Sequence, residues 1–288
     1  MEIKSNISNV KEYIVNWLSS YVENSKTSGF TLGVSGGIDS GVVSTLCAMT
    51  EKPVLILSMP IHQSSDEVTR TEKHITWLKE NYPNVTSMTI DLTKAYDVLH
   101  EAYGQQTVPV TEEEFEFSMS NTRSRLRMTT LYQYAGTHKY LVAGTGNKVE
   151  DFGIGFYSKY GDGGVDLSPI ADLMKSEVYS LGAELGLIQE ILSAVPTDGL
   201  HDDGRTDEDQ IGATYDELEW AMKFEEEFNS TMNRQEKMAK EITLNDRERE
   251  VLSIYRKYHN ANKHKMVEIP VCAIPTEVKY PELETEEG

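Results

Sequence analysis

The sequence predicts an α/β fold, a parallel sheet flanked by helices, followed by a helical C-terminal third. Three observations predict it. Short apolar runs at residues 30–34, 53–59 and 140–143, and a strand at 85–90, alternate with helix-like segments. Such alternation builds a parallel sheet that carries its ligands at the carboxyl ends of the strands. The first run stops at a small-residue loop, Ser35-Gly36-Gly37-Ile38-Asp39-Ser40, with a helix-like segment directly behind it. From Tyr215 onward only helical spacing recurs.

In chain order, Val10, Ile14, Trp17, Leu18 and Tyr21 have helical spacing and should cover the sheet or a partner subunit. Residues 30–34 lead into the glycine loop and a helix over 41–49. Val54-Leu55-Ile56-Leu57-Ser58-Met59 reads as a strand buried on both faces. Ser64 or Ser65 caps the next helix, with Glu67 in its first turn and an end near Asn81. A third strand over 85–90 ends at Asp91, and a helix over 92–103 and a loop over 104–110 follow. A long helix starts at Glu112 and reaches Tyr134 or beyond. The fourth strand, 140–143, exits through the loop 144–150.

Residues 151–166 break the pattern with Gly153, Gly155, Gly161, Gly163 and Gly164 among the aromatics Phe152, Phe156, Tyr157 and Tyr160. A loop this long in a compact domain is functional or disordered, and its aromatic density argues that it folds over something. Residues 175–185 are helical, with Gly186 as C-cap. An irregular loop at 195–200 runs into an acidic stretch at 202–209. Helices follow over 215–228, 233–242 and 245–263, the last capped by Asn245. The chain reads as a single domain over 1–270 with an acidic, frayed tail over 271–288.

The 288 residues carry 27 Lys and Arg against 47 Asp and Glu, a formal charge of −20. That argues against a nucleic-acid partner held by a general electrostatic field. It also means that an anionic nucleotide needs Mg²⁺ or local cations. Cys47 and Cys272 are the only cysteines, and no CxxC exists for a zinc ribbon or thioredoxin-like motif. With no signal peptide and no apolar span of about 18 residues, the expectation is a cytoplasmic protein with no membrane partner.

The glycine loop suits an anion. The orphan N–H groups and dipole of the following helix favour negative charge, and Gly36 and Gly37 let a phosphate approach the backbone. Asp39 repels a bare phosphate, so its use there is through a divalent cation. The loop lacks the Lys of a Walker A sequence. Further along, Arg123 and Arg127 share a helix face while Arg125 points nearly the other way. At least one should be fixed as a forked donor, with pairing to 112–116 as the alternative. Glu150, in Gly144-Thr145-Gly146-Asn147-Lys148-Val149-Glu150, is a second acidic candidate for Mg²⁺. Lys159, Asp162 and Asp166 lie in the long loop. Lys175 opens a helix, where a cation opposes the dipole and suggests a nearby anion. His264 and Lys265 follow the last long helix and suit its carboxyl end.

The loop resembles the SGGxDS signature of the PP-loop ATP pyrophosphatases. SGGIDS, NTRSRLRM, GTGNKVE, FYSKYGDGGVDLSPIADLMKSEVY, PTDGL, TDEDQIGATYDELE and KHK also occur in the order seen in NAD synthetases, over residues 10–270. The resemblance implies a Rossmann-like, adenine nucleotide alpha hydrolase-like fold. It implies an ammonia-using ligase that adenylates deamido-NAD with ATP and amidates it to NAD, releasing AMP and pyrophosphate. Longer glutamine-using relatives add a glutaminase ahead of this domain, and with about 30 residues before the first strand none is expected here. On the same resemblance, Gly33, Val34, Ser35, Gly36, Gly37, Ile38, Asp39, Ser40, Thr145, Lys175 and Thr197 contact ATP. Asp39 and Lys175 are the catalytic pair, and Asp39 and Glu150 hold Mg²⁺. Arg125, Lys159, Asp166, His264 and Lys265 contact deamido-NAD, and the enzyme is a homodimer. Many ammonia-using members have Asp-His where this chain has Asn147-Lys148, and Lys148 should add a cation near the triphosphate. The alternatives are a PP-loop enzyme with another acceptor, or an ATP-binding module without chemistry.

Overall fold

The four expected strands form one sheet. In a computed structural model that describes residues 6–105, 107–197, 206–231 and 234–280, β1 (Gly29–Gly33), β2 (Val54–Ser58), β3 (Val85–Thr89) and β4 (Tyr140–Val142) lie in the order β3-β2-β1-β4. Every pairing is parallel: Phe30 faces Val54 and Leu141, and Val54 faces Val85. A bridge from Ala143 to Leu167 extends the β4 side. The chain steps from β1 to β2 to β3, then crosses back to place β4 on the other side of β1. Connections leaving β1 and β4 therefore diverge and open a crevice at this switch point.

Burial explains the strand sequences. Phe30, Leu32, Ile56 and Leu57 are fully buried, and the buried polar side chain of Thr31 donates its hydroxyl to the Leu55 carbonyl at 3.0 Å. On one face of the sheet lie α1 (Ile7–Ser25), α2 (Ile38–Met49) and α6 (Lys175–Glu184), with Leu18, Val42, Leu46 and Leu181 in a common core. Leu55, Leu57 and Met59 meet Tyr96 of α4 (Thr93–Tyr103) and Met119 of α5 (Glu112–His138) in a second core. The expected caps form: Ser64 with Glu67 starts α3 (Ser65–Asn81), and Asn245 with Glu248 starts α11 (Asp246–Asn262). A third core joins α11, α9 (Tyr215–Thr231) and α8 (Asp207–Ile211).

Several elements differ from the sequence reading. The long glycine-rich loop begins as a π-helical turn over Val149–Ile154. The Asn147 Oδ1 accepts from the Val149 and Glu150 N–H groups at its start, and Val149 and Ile154 bury against Met222 and Tyr255. Gly155 ends the turn at φ +64, where a side chain would run into Asn262. The end of the acidic stretch becomes α8, because Thr206 and Asp209 form a capping box. Short helices α7 (Gln189–Leu192) and α12 (Thr276–Lys279) also appear, and α10 (Arg234–Ile242) lies where a helix was expected. Residues 198–205 and 281–288, including most of PTDGL and the end of the acidic tail, lie outside the described residues. Among the described residues no helix is long and apolar enough to cross a membrane.

Candidate active site

Between β1 and α2 the chain turns through the glycine loop, with Gly36 at φ +83. Its hydroxyls brace the loop. Ser40 Oγ donates to the Gly37 carbonyl at 3.1 Å and accepts from the Ser35 N–H at 3.3 Å, while the Gly37 N–H donates to Ser35 Oγ at 3.3 Å. Gly33, Val34, Ser35, Gly37, Ile38, Asp39 and Ser40 line a deep cavity at the switch point. Gly36 instead turns its Cα toward Thr71 and Arg70 of α3.

A buried charge cluster forms one wall. Lys175, at the start of α6 and 4 % exposed at its side chain, places Nζ 2.6 Å from Asp39 Oδ2 and 2.9 Å from Glu150 Oε1. Asn147, fully buried, donates to Asp39 Oδ1 at 3.0 Å. The Tyr215 hydroxyl lies 2.7 Å from Glu150 Oε1 and 3.1 Å from Asp207 Oδ2, and the Lys175 ammonium lies 4.6 Å from the Tyr215 ring centre. The two carboxylates thus compensate the lysine that opposes the α6 dipole. Burial alone would lower the Lys175 ammonium, but Asp39 and Glu150 hold it well above the ordinary lysine range. Burial raises the Asp39 carboxyl, against the pull of Lys175. It acts the same way on Glu150, but there Lys175 and Tyr215 outweigh it and the carboxyl falls below its usual value. Asp151, also on the cavity wall, is pushed up to about 8 by burial and then by Glu150, Asp162 and Asp39.

Asp39, at the start of α2 behind β1, and Glu150, in the π-helical turn behind β4, converge on one point, occupied by the Lys175 ammonium. Among the described residues no group of three or more His, Cys, Asp or Glu is arranged to hold a metal by itself. Mg²⁺, however, commonly takes one or two carboxylates and completes its shell with phosphate oxygens and water. The residues fit an ion that arrives with a nucleotide.

Other expected positions fall in three places. Thr145 and Thr197 line the same cavity. The long loop folds over it as expected, contributing Phe156, Tyr157, Gly161 and Asp162. Asp162 Oδ1 anchors that loop by accepting from the Ser158 N–H at 3.0 Å and from Ser124 Oγ at 2.5 Å. Arg125, Lys159, His264 and Lys265 form a separate strip. The Arg125 Nε donates to the Lys159 carbonyl at 3.3 Å, and the Lys159 Nζ to the His264 carbonyl at 3.2 Å. The Lys265 Nζ donates to the carbonyls of Gly155 and Tyr157 at 2.6 and 2.7 Å. Asp166 is turned to the sheet, accepting from the Val142 N–H at 2.8 Å and the Tyr132 hydroxyl at 3.1 Å.

The three arginines also separate. Arg123 is buried over the Tyr96 ring, and Arg127 donates to the Met59 carbonyl and Gln63, while Arg125 stays exposed. Pairing with 112–116 does not explain them: Glu114 caps α5 and Glu116 meets His100. One expectation is corrected. Lys148 does not add a cation near the cavity; it turns to Asp172 and Glu226 at 3.3 and 3.8 Å, because Asn147 occupies the inward position. The sequence reading missed the roles of Asn147, Tyr215, Asp151 and Asp207. All but Asp151 lay within quoted motifs, but nothing local marks their partners.

Known proteins resemble this chain in sequence and fold. The NAD synthase family pattern matches residues 10–268. The NH(3)-dependent NAD(+) synthetase of Carboxydothermus hydrogenoformans is 38 % identical over 72 % of this chain and 82 % of its own. That of Alkaliphilus metalliredigens is 35 % identical over 90 % and 96 %. Among solved structures, NMN synthetase from Francisella tularensis covers 94 % of this chain and 98 % of its own, at TM-score 0.74 and 29 % identity. The NH3-dependent NAD synthetase from Campylobacter jejuni covers 93 % and 99 %, at TM-score 0.70 and 24 % identity, a likeness of fold. The family match spans the glycine loop, the carboxylates that meet Lys175, and the strip around Arg125, and on that ground the chain belongs to the NAD synthase family.

Proposed function

We propose that this chain amidates deamido-NAD (nicotinic acid adenine dinucleotide) with ammonia and ATP, giving NAD, AMP and pyrophosphate. The observation that carries this reading is the convergence of Asp39, Glu150 and Lys175 beside the glycine loop. The substrate carboxylate attacks the α-phosphorus of ATP, and the bond to pyrophosphate breaks. Ammonia then attacks the activated carbonyl and AMP leaves. A carboxylate is a poor acyl donor and its adenylate a good one, so the protein supplies position and charge neutralisation more than a nucleophile. The N–H groups of the loop and the start of α2 receive the pyrophosphate. Asp39 and Glu150 would hold Mg²⁺, which supplies charge neutralisation on the triphosphate when bound. Lys175 places its ammonium beside the same phosphates. Phe156 and Tyr157 restrict the entry of water, which would hydrolyse the adenylate.

The strip of Arg125, Lys159, His264 and Lys265 faces outward, and it supports a dinucleotide site shared with a second subunit. Tyr13, Trp17 and Tyr21 form an exposed aromatic stripe along α1 that suits a homodimer contact. A second reading has one observation in its favour: the likeness to the Francisella NMN synthetase points to a mononucleotide acceptor. Product analysis decides between them. ATP, Mg²⁺ and ammonium are supplied with deamido-NAD or with nicotinic acid mononucleotide, and amide, AMP and pyrophosphate are counted. Equal amounts with the dinucleotide are expected. Turnover of the mononucleotide alone would replace the acceptor, and turnover of neither would overturn the reading.

A further inference from the structure

Arg70 lies on α3, outside every sequence motif, and no step above uses it. Its Nε donates to the Gly36 carbonyl at 2.8 Å. Gly36 is the loop residue with φ +83, and a side chain there would meet Thr71 Oγ1 at 3.0 Å and Arg70 Nε at 3.2 Å. A trans peptide holds its C=O and the following N–H on opposite sides, and the described residues contain no cis peptide. With the Gly36 carbonyl turned out to Arg70, the Gly37 N–H is turned away from α3. Gly37 lines the nucleotide cavity and Gly36 does not. The acceptor of that N–H is Ser35 Oγ at 3.3 Å, a long bond that an anionic phosphate oxygen would displace.

We propose that Arg70 is a positioning residue for the phosphate loop. Its guanidinium fixes the Gly36–Gly37 peptide so that the Gly37 N–H faces the pyrophosphate portion of ATP. This rests on the proposed use of ATP. A reversed peptide would present a carbonyl oxygen to a polyanion, so the orientation matters more than the single bond that sets it. Arg70 also lines a neighbouring cleft that shares Gln63, Glu67 and Thr197 with the nucleotide cavity, which places it where α3 meets the loop.

The test measures inorganic pyrophosphate binding, with Mg²⁺, to the free protein by calorimetry. It is combined with KM for ATP, KM for the acceptor and thermal midpoint for wild type, Arg70→Ala and Arg70→Lys. Arg70→Ala should weaken pyrophosphate and raise KM for ATP about tenfold, the scale of one lost charge-assisted bond, while KM for the acceptor stays put. Arg70→Lys, which can still donate to the Gly36 carbonyl, should recover most of both. Unchanged pyrophosphate affinity in Arg70→Ala would overturn the proposal, and so would an equal rise in both KM values with a lowered midpoint that Arg70→Lys does not rescue. Wild-type pyrophosphate binding without turnover of either acceptor would break the reaction assignment alone, and the variants would still decide the role of Arg70.

Discussion

Around Asp39 a buried Lys175 and two half-buried carboxylates hold one another: Lys175 meets both carboxylates, Asn147 meets Asp39, and Tyr215 meets Glu150. Around Arg125 the cations are half-buried or exposed and rest on backbone carbonyls. Among the described residues Arg125, Lys159 and Lys265 make no ion pair with a carboxylate. The charge cluster of the first region is built from one chain's own residues. The second is a set of cationic donors whose acceptors are backbone carbonyls, at 3.2–3.3 Å for Arg125 and Lys159 and 2.6–2.7 Å for Lys265. A buried ionic cluster is costly to break, and an exposed cation is cheap to remove. The two ends of the site should therefore answer mutation differently.

The largest effect belongs to the buried end. Asp39→Ala should lower turnover about 10³-fold, the scale of removing one preorganised charge partner. Pyrophosphate release measures it, and a loss below about tenfold would place the chemistry elsewhere. Chelation of Mg²⁺ should stop the same release. Lys175→Met should next reveal the structural share. It leaves two buried carboxylates without their shared cation, at a cost of about 3–5 kcal/mol in metal-free buffer. Urea unfolding reads this, and added Mg²⁺ should restore part of the stability if ion and ammonium satisfy the same oxygens. An unchanged urea midpoint would show that the cluster is not buried as described.

At the exposed end, Arg125→Ala should raise KM for deamido-NAD about tenfold through loss of a charge-assisted bond. KM for ATP should not move, and stability should stay within about 0.5 kcal/mol. Equal weakening of both substrates would remove the distinction between the two ends. A separate effect is a pH dependence at Asp151. Its folded carboxyl is raised to about 8, above its ordinary 3.8, by burial and its acidic neighbours. The folded state therefore holds the proton more tightly. The group's contribution to stability is complete below the unfolded value and is lost as pH rises toward the folded one. Asp151→Asn should flatten the decline of the metal-free urea midpoint between pH 5 and about 8. A parallel decline in both proteins would place the titration elsewhere.

Much of the fold was legible because its signals are local. An apolar run marks a strand buried on both faces, and Ser64 with Glu67, Thr111 with Glu114 and Asn245 with Glu248 mark helix starts within three residues. The π-helical turn was not legible, because Val149 and Ile154 bury against Met222 and Tyr255, on helices far along a chain whose loop glycines suggest no helix. The cavity-facing half of the site was readable from SGGIDS, whereas the direction of Lys148 was not, since only the inward Asn147 side chain decides it.

The sequence by itself determined the alternation of strands and helices and the small-residue loop between β1 and α2. Each is written in neighbouring residues whose spacing and chemistry suffice, whereas the roles given to Asp39, Glu150 and Lys175 came from the family resemblance. Only the tertiary structure decided that Lys175 bridges Asp39 and Glu150, that Tyr215 and Asn147 hold those carboxylates, and that Arg70 turns the Gly36 carbonyl outward. These bonds join segments brought together by sheet order and helix packing, and a hydrogen bond between distant residues leaves no periodicity in the chain.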